Sequence, residues 1–421
     1  MVNPAATYPR TPREQQPFAP ELWAADILQE NSNIAILAGN ASGCPSNQKG
    51  IVALPDKVKE YHQQPSQSEL EKSLEPGPGV KIFLASYELG YPLVNLSSRP
   101  TANGQPIFTT MEAQSWLEID HADSSVSPHG DPANALLEKM LKMTPPTPQA
   151  GPRLLLNPAE PDQVHAARIE KIQTHIACGD IYQANLTRRF NVGHALSSID
   201  TFKSLSNINP VSHGAWIRIG DFEIISNTME TLFTYNAPER KLRSYPIKGT
   251  RRRIDRVSED KWLLKNDEKE RAEHIMIVDL VRNDLGRVCL PGTVKVPHLM
   301  EIHGYNGVWH GISTVEGTLE TTIPVGRAFS SLFPGGSITG APKRRAMEII
   351  QALESEPRGV YTGTLGVVYP DGSISTSILI RSLVHDQQGW HLGVGGGIVA
   401  DSRASRELEE ITEKYKVFTL K

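Results

Sequence analysis

The chain has 421 residues, of which 39% are hydrophobic and 21% charged, and its formal net charge is −4. These values are typical of a globular protein with one very large domain or two ordinary ones. The net negative charge does not indicate binding to nucleic acid or to an anionic membrane. No apolar run approaches the ~18–20 residues that span a bilayer.

The cysteines are few and far apart. Cys44, Cys178 and Cys289 form an odd, widely spaced set without a CxxC pair. That pattern argues against a disulfide framework or a zinc site and is typical of a reducing compartment. The first residues also lack the charged and apolar regions of a secretory signal. We therefore expect a cytoplasmic protein.

The predicted elements of the first part of the chain are short. Residues 81–87 are predicted to form a strand and follow turn residues at 76–79. A proline-rich stretch at 145–152 is the best candidate boundary, which would divide the chain into residues 1–150 and 151–421.

Beyond that stretch the patterns are longer. Val164, Ile169 and Ile172 lie on one face of a predicted amphipathic helix over 161–178, with Pro161 at its start and Gly179 after its end. Strands grouped with helices, without strict alternation, indicate an α+β fold. The further predicted strands cover 215–219, 223–226, 365–369 and the region around 373–383, and the further helices cover 268–285, 342–353 and 404–415.

Two of these helices carry paired glutamates. Glu270 and Glu273 share one helical face, and so do Glu407, Glu410 and Lys414. Taken alone, each pattern is more often a solvated acidic face, stabilised by the helix dipole or by a lysine one turn away. If the two faces met, their carboxylates would form a hard oxygen site suited to Mg²⁺.

A glycine-rich segment at 333–343 partly resembles a phosphate-binding loop. Gly335 and Gly340 have the GxxxxG spacing, but Ala341 and Pro342 separate the last glycine from Lys343. This break disfavours nucleotide binding, and the segment instead predicts a helix with Pro342 at its first position.

A second glycine-rich segment contains Gly395, Gly396 and Gly397 in succession. Such a backbone can approach a ligand closely and offer N–H groups to a carboxylate. A bulged or kinked strand is an equally good interpretation.

A basic segment places Lys248 before Gly249 and three arginines at 251–253. A surface basic patch is the commoner meaning of such a run. The alternative is a nucleophilic amine whose pKa the neighbouring guanidinium charges lower from the usual ~10.4.

In this order, the segments resemble those of the chorismate-utilising enzymes over about residues 161–414. The motifs are GDIYQANL at 179–186, GTR at 249–251, VDLVRND at 278–284, GAPK at 340–343 and GGGIVADS at 395–402. The resemblance implies one large α+β domain with two stacked antiparallel β-sheets forming a sandwich and helices outside. Residues 1–150 would be the divergent N-terminal part of that sandwich, and residues 151–421 the chorismate-binding catalytic region.

The resemblance also implies a metal site and a substrate site. Mg²⁺ would be held by Glu273 and Glu410, with Glu270 and Glu407 among or beside its ligands. Arg381 would grip a substrate carboxylate, a role suited to a guanidinium fork. The other substrate-binding residues would be Gly249, Thr250, Tyr361, Gly395, Gly396, Gly397 and Lys414.

Three residues would carry the chemistry by the same resemblance: Lys248 as nucleophile, Glu230 as proton donor and His310 near C4 of the substrate. Other branches of the family carry alanine in place of Lys248, and the isochorismate and salicylate branch carries a lysine in place of Gln183. Two positions depart from the family pattern, since Met229 precedes Glu230 where proline is usual and His274 follows Glu273 where asparagine is usual.

The expected reaction is therefore amination of chorismate at C4 to 4-amino-4-deoxychorismate, for 4-aminobenzoate and folate synthesis. No cysteine lies in the sharp glycine-flanked turn of an amidotransferase nucleophile, so ammonia would come from a separate glutamine amidotransferase subunit. Two alternatives remain: an anthranilate synthase component I, which aminates C2, and a non-catalytic relative that binds chorismate or tryptophan as a regulator.

Overall fold

Two large antiparallel sheets dominate the structure, a computed structural model that describes residues 6–7, 19–39, 49–101, 104–143, 153–194, 196–252, 259–305 and 308–419. Their stacking, with helices outside, confirms the expected α+β sandwich. The proline-rich stretch at 145–152, which was predicted as a domain boundary, lies outside the described residues. Within the described ranges, no helix is both long enough and apolar enough to cross a bilayer.

Strands are numbered here in chain order. Within the described residues the first sheet has 12 strands, paired in the order β1-β8-β7-β3-β2-β11-β12-β21-β22-β10-β18, with β9 also paired to β10. Its strands are β1 (Ala6–Thr7), β2 (Asn33–Ala38), β3 (Lys49–Leu54), β7 (Ser115–Asp120), β8 (Ser125–His129), β9 (Leu156–Pro158), β10 (Gln183–Val192), β11 (His213–Ile219), β12 (Phe222–Thr228), β18 (Gly340–Ala341), β21 (Ser382–Asp386) and β22 (Gly389–Ile398).

The second sheet has 10 described strands in the order β15-β17-β14-β13-β20-β19-β5-β6-β4, with β16 also paired to β17. Strands from both parts of the chain thus contribute to both sheets. The strands of this sheet are β4 (Lys57–Tyr61), β5 (Val80–Ala85), β6 (Phe108–Ala113), β13 (Thr231–Asn236), β14 (Lys241–Ser244), β15 (Ile247–Arg252), β16 (Lys295–Tyr305), β17 (Val308–Thr318), β19 (Thr364–Val368) and β20 (Ile374–Ile378).

The helices predicted at 161–178, 268–285, 342–353 and 404–415 are confirmed to within two residues at each end. One detail of the prediction is wrong, because Pro342 caps the tenth helix rather than occupying its first position. The helices are α1 (Pro20–Leu28), α2 (Gln67–Ser73), α3 (Gly90–Leu93), α4 (Asp131–Leu141), α5 (Asp162–Ala177), α6 (Ser198–Ile208), α7 (Glu259–Lys265), α8 (Glu268–Gly286), α9 (Val325–Leu332), α10 (Lys343–Leu353) and α11 (Ala404–Tyr415).

The core between the sheets follows from the two-residue period of the strands. In β5, Val80, Ile82 and Leu84 point into a buried cluster that also receives Ala215 and Ile217 from the first sheet. The intervening residues of β5 point to the opposite face, where α2, α8, α9 and α10 supply apolar partners. Burial on both faces explains why this strand is a continuous apolar run rather than an alternating one.

The strand predicted around 373–383 is divided in the structure. β20 ends at Ile378 and β21 begins at Ser382, and the two strands belong to different sheets. Between them Arg381 has φ 50°, in the left-handed region that residues other than glycine rarely adopt. This crossover places the Arg381 side chain at the junction of the two sheets.

Candidate active site

A cavity of about 1060 Å³ lies at that junction. It is bounded by β10 and β22 of the first sheet, by β15 and β17 of the second, and by one face each of α8 and α11. Except for Gly396, every predicted site residue lines it: Glu230, Lys248, Gly249, Thr250, Glu270, Glu273, His310, Tyr361, Arg381, Gly395, Gly397, Glu407, Glu410 and Lys414.

The successive glycines belong to β22, which pairs with β10 in unbroken register. The bulged-strand interpretation is therefore wrong for this segment. A Cβ atom on Gly395 would lie 2.6 Å from the backbone oxygen of Leu186, so glycine at this position permits the close approach of the two strands. Gly396 is not among the lining residues, and its Cβ would lie 3.2 Å from Glu407 Oε2, so this glycine packs against the carboxylates of α11.

Lys248 lies on β15 at a bulge. It pairs with Gly311 of β17, the next pair joins Thr250 to His310, and Gly249 is the extra residue between them. Gly249 has φ 86°, and a Cβ there would lie 3.3 Å from Glu270 Oε2. Only glycine makes this turn without strain and without pressing on the carboxylate.

The charge environment of Lys248 differs from the one predicted. Burial lowers the pKa of the amine, but Glu273, with further contributions from Glu410 and Glu270, outweighs burial and raises it. Lys248 Nζ is 2.9 Å from Glu273 Oε2. The prediction that neighbouring arginines lower this pKa is therefore wrong in direction, and the described guanidinium of Arg251 bonds to Asp260 instead.

The four predicted metal-binding carboxylates line the cavity from two helices. Glu270 and Glu273 lie in the first turns of α8, whose cap residue accepts a hydrogen bond from the Glu270 N–H. Glu407 and Glu410 lie on α11. Burial raises the pKa of Glu270 and of Glu407, and in each case the second carboxylate of the pair adds to that rise.

This donor set fits a hard divalent cation in chemistry, since oxygen ligands with unfavourable mutual repulsion gain from a positive charge. In the structure, two of these carboxylates pair with lysine side chains. Glu273 pairs with Lys248, and Glu410 Oε1 is 2.7 Å from Lys414 Nζ. Among the described residues, no three acidic, histidine or cysteine side chains converge closely enough to hold a metal ion.

Glu230 lies in the tight turn between β12 and β13, and both it and Arg381 line the cavity. Burial raises the pKa of its carboxyl group, although Arg381 and a hydrogen bond from Ser337 oppose the rise. Ser337 Oγ donates to Glu230 Oε2 over 3.2 Å. Burial thus favours the protonated form of this carboxyl group, which is the form that a proton donor requires.

His310 lies on β17, opposite Thr250, and its Nδ1 is 3.3 Å from the Thr250 hydroxyl. Burial, with a smaller contribution from the positive charge of Arg381, lowers the pKa of His310 to about 4. The imidazole is therefore neutral at pH 7 and can orient a substrate by hydrogen bonding.

Tyr361 forms one wall of the cavity and is 6% exposed. Its ring lies directly against Gly393 of β22, where a Cβ atom would be 2.4 Å from the ring carbons Cγ and Cδ1. The glycine therefore fixes how closely this wall approaches the strand.

Three residues of the site were not assigned a role from the sequence. Ser337 lies in the glycine-rich segment and bonds Glu230. Lys269 lines the cavity and pairs with Asp401 at 2.8 Å. His274 is fully buried behind Glu273 and bonds the Lys248 carbonyl. A role for Lys269 and His274 could have been predicted from their positions in the sequence, directly beside Glu270 and Glu273.

The glycine-rich segment at 333–343 does not end in a phosphate-binding lysine. Lys343 Nζ is 2.6 Å from Asp284 Oδ2, and both side chains are largely buried. This ion pair joins α8 to the start of α10. It supports the prediction that the segment is not a nucleotide site.

Comparisons with known proteins agree with this architecture. The sequence profile of the chorismate binding enzymes matches residues 22–420. Aminodeoxychorismate synthase component 1 from Klebsiella aerogenes is 31% identical, over 97% of this chain and 95% of that protein. Anthranilate synthase component 1 from Haloarcula marismortui is 39% identical over 59% of this chain and 51% of its own length. The chain thus spans about half the length of several anthranilate synthase relatives that it matches.

Solved structures give the same result. Anthranilate synthase component I from Streptococcus pneumoniae superposes with a TM-score of 0.79 at 27% identity, over 89% of this chain and 93% of that one. The menaquinone-specific isochorismate synthase of Escherichia coli, at 16% identity, shares the fold with a TM-score of 0.71 over 99% of this chain and 94% of its own. From its profile match and its full-length relative, the chain belongs to the family of chorismate binding enzymes.

Proposed function

We propose that this chain aminates chorismate at C4, as the chorismate-binding component of an aminodeoxychorismate synthase in 4-aminobenzoate and folate synthesis. The observation that carries the proposal is that the Lys248 amine lines the cavity together with Glu230 and Arg381. A full-length relative is also named as an aminodeoxychorismate synthase component.

The cavity has charges that suit a dicarboxylate such as chorismate. Arg381 and Lys414 offer cationic donors, and a guanidinium can bind a carboxylate through two parallel hydrogen bonds. Thr250, His310 and Tyr361 add neutral polar groups on the walls. These groups would fix the ring between Lys248 and Glu230.

The proposed reaction has two substitutions. The Lys248 amine forms a bond to C2 while the C4 hydroxyl departs with a proton from Glu230, so that chorismate and amine give a secondary amine and one water. Ammonia then bonds to C4 and expels the Lys248 amine from C2. The enolpyruvyl group is retained throughout, and a separate lyase would be needed to form 4-aminobenzoate.

The pKa directions bear on the proposed roles of acid and nucleophile. Burial favours the protonated form of Glu230, as it does for Glu270 and Glu407, and Glu230 is the one of these three that is not proposed as a metal ligand. His310 is neutral near pH 7 and cannot serve as an imidazolium donor. Lys248 begins as an ammonium paired with Glu273, and it must leave that partner and lose a proton before it attacks.

We further propose that Glu273 and Glu410 bind Mg²⁺, with Glu270 and Glu407 as additional or nearby ligands. A bound Mg²⁺ would hold a substrate carboxylate and make the conjugated ring a better electron sink. The supporting observation is that four carboxylates face the cavity from two helices, two of them with pKa values raised by burial.

Ammonia is proposed to come from a glutamine amidotransferase partner. Of the two described cysteines, Cys289 is buried and the pKa of its thiol is raised to about 11 by burial, which disfavours a nucleophilic thiolate. Cys178 follows α5 outside the cavity-lining set. The purified chain should therefore use ammonium salts at alkaline pH, and glutamine-dependent turnover without a partner would contradict this.

Product identification tests the proposal as a whole. Chorismate, an ammonium salt and Mg²⁺ should yield 4-amino-4-deoxychorismate with no pyruvate, detected by mass spectrometry and by a coupled pyruvate assay. Formation of anthranilate with one equivalent of pyruvate would instead identify an anthranilate synthase component.

That alternative has specific support, because several relatives at 39–41% identity over more than half of the chain are named anthranilate synthase component 1. A third outcome, chorismate binding without any product, would indicate a regulatory relative. Lys248 and Glu230 in one cavity weigh against that outcome, since binding alone requires neither a nucleophile nor an acid.

A further inference from the structure

His274 is fully buried on α8, directly after Glu273. Its ring does not enter the cavity but turns toward the second sheet. Nδ1 is 3.3 Å from the carbonyl oxygen of Lys248, and Nε2 is 2.5 Å from Ser313 Oγ on β17. Ser313 Oγ in turn accepts a hydrogen bond from the Met300 N–H over 2.8 Å.

These contacts fix the proton positions. A carbonyl oxygen can only accept, so the Lys248 contact requires a proton on Nδ1. In the neutral ring Nε2 is then an acceptor, and the Ser313 hydroxyl must donate to it. The Ser313 lone pair accepts from Met300, so that every polar group of this chain of contacts has a partner.

The hydrogen-bonded carbonyl belongs to the bulge that aims the nucleophile. The peptide between Lys248 and Gly249 is where β15 departs from regular pairing with β17, and Gly249 there has φ 86°. A backbone at a bulge lacks the ladder contacts that hold a regular strand in one orientation. A side-chain donor to that carbonyl adds a constraint at the point where the regular pairing is interrupted.

We propose that His274 is a positioning residue for Lys248: it clamps the carbonyl at the bulge and thereby directs the Lys248 amine into the cavity. Because His274 follows Glu273, one turn of α8 then holds both the side-chain partner of Lys248 and the anchor of its backbone. This inference rests on the proposed function, in which Lys248 is the nucleophile.

Two amide replacements separate this role from simple packing. In His274→Asn the side-chain amide nitrogen takes the place of Nδ1 and can still donate to the Lys248 carbonyl. In His274→Gln the amide reaches the Nε2 position and can bond Ser313, but it leaves the Lys248 carbonyl without its donor. The assay is the rate at which purified protein, chorismate and Mg²⁺ form a covalent adduct when ammonia is withheld, together with the dissociation constant for chorismate.

We expect the adduct rate of His274→Gln to fall about tenfold or more, since small displacements of a reacting group are costly, with the chorismate dissociation constant within about twofold of wild type. His274→Asn should stay within about threefold of the wild-type rate. The matched control is His165→Gln, which replaces another buried histidine on α5 outside the cavity and should react at the wild-type rate.

A wild-type adduct rate in His274→Gln would overturn the inference. The inference would also be overturned if the adduct rate fell equally in His274→Gln and His274→Asn, in proportion to the loss of thermal stability of each variant. Should His274→Gln not fold, His274→Leu takes its place: it fills the buried site but offers no donor to the Lys248 carbonyl, and an unchanged adduct rate would again overturn the inference. Lys248→Ala, measured in parallel, separates the two proposals, because undiminished amination by that variant contradicts the proposed function itself.

Discussion

The wall formed by Tyr361 and Gly393 offers a sharp test of the cavity geometry. In Gly393→Ala the new Cβ would begin 2.4 Å from the Tyr361 ring, whereas an ordinary contact begins near 3.4 Å. The ring or the strand must therefore shift by about 1 Å, a displacement that can cost about a hundredfold in turnover when it occurs in an active site. Overpacking of this kind also lowers the free energy of unfolding by about 1–3 kcal/mol.

We expect Gly393→Ala to lower kcat/KM for chorismate by about ten- to a hundredfold, measured by product formation with ammonium, and to lower the urea midpoint. Adding Tyr361→Leu should relieve the clash and restore stability without restoring activity. The control is Gly286→Ala, since a Cβ at Gly286 meets nothing within 4 Å. Wild-type activity and stability in Gly393→Ala would refute the claim that this contact fixes the wall.

Three further predictions follow from the site and its supports. Glu410→Gln should abolish turnover with the fold intact, and EDTA should do so reversibly, as activity and circular dichroism can show. Because the Ser337 hydroxyl opposes the raised pKa of Glu230, Ser337→Ala should raise that pKa further, so the high-pH limb of the kcat profile, where the acid form is lost, should move to higher pH. Asp284→Asn leaves the Lys343 ammonium buried without its counter-charge and should lower the free energy of unfolding by about 3–5 kcal/mol in urea titrations.

Each of these has a matched control or a contradicting result. Glu409→Gln changes an exposed neighbour on α11 and should leave turnover unaltered. Full activity in EDTA, or a high-pH limb that stays in place or moves to lower pH in Ser337→Ala, would contradict the assigned roles. Replacing both Asp284 and Lys343 with leucine and methionine should be far milder than Asp284→Asn, since no buried charge remains.

Much of the fold could be predicted from the sequence because its signals are local. The period of α5, the glutamate spacing on α8 and α11, and the apolar run of β5 depend on residues close together in the chain. The residues named for the site, apart from Gly396, line one cavity. Their common location could be predicted because they lie in a series of specific sequence motifs.

The contacts between distant segments could not be predicted in the same way. The pKa direction of Lys248 is set by Glu273, 25 positions away on another element, and the adjacent arginines gave the wrong sign. Glu230 receives its hydrogen bond from Ser337, far along the chain. Gly396 faces α11 because side chains alternate along β22, and its sequence neighbours gave no sign of that direction.

The most direct test of the central claim is intact-protein mass spectrometry after incubation with chorismate and Mg²⁺ without ammonia. If Lys248 attacks C2 and water departs from C4, the protein should gain the mass of chorismate minus water, and peptide mapping should place the gain on Lys248. Lys248→Ala should show neither adduct nor amination, and added ammonium should discharge the wild-type adduct as 4-amino-4-deoxychorismate. An unmodified wild-type protein, together with a Lys248→Ala variant that makes this product at the wild-type rate, would contradict the account.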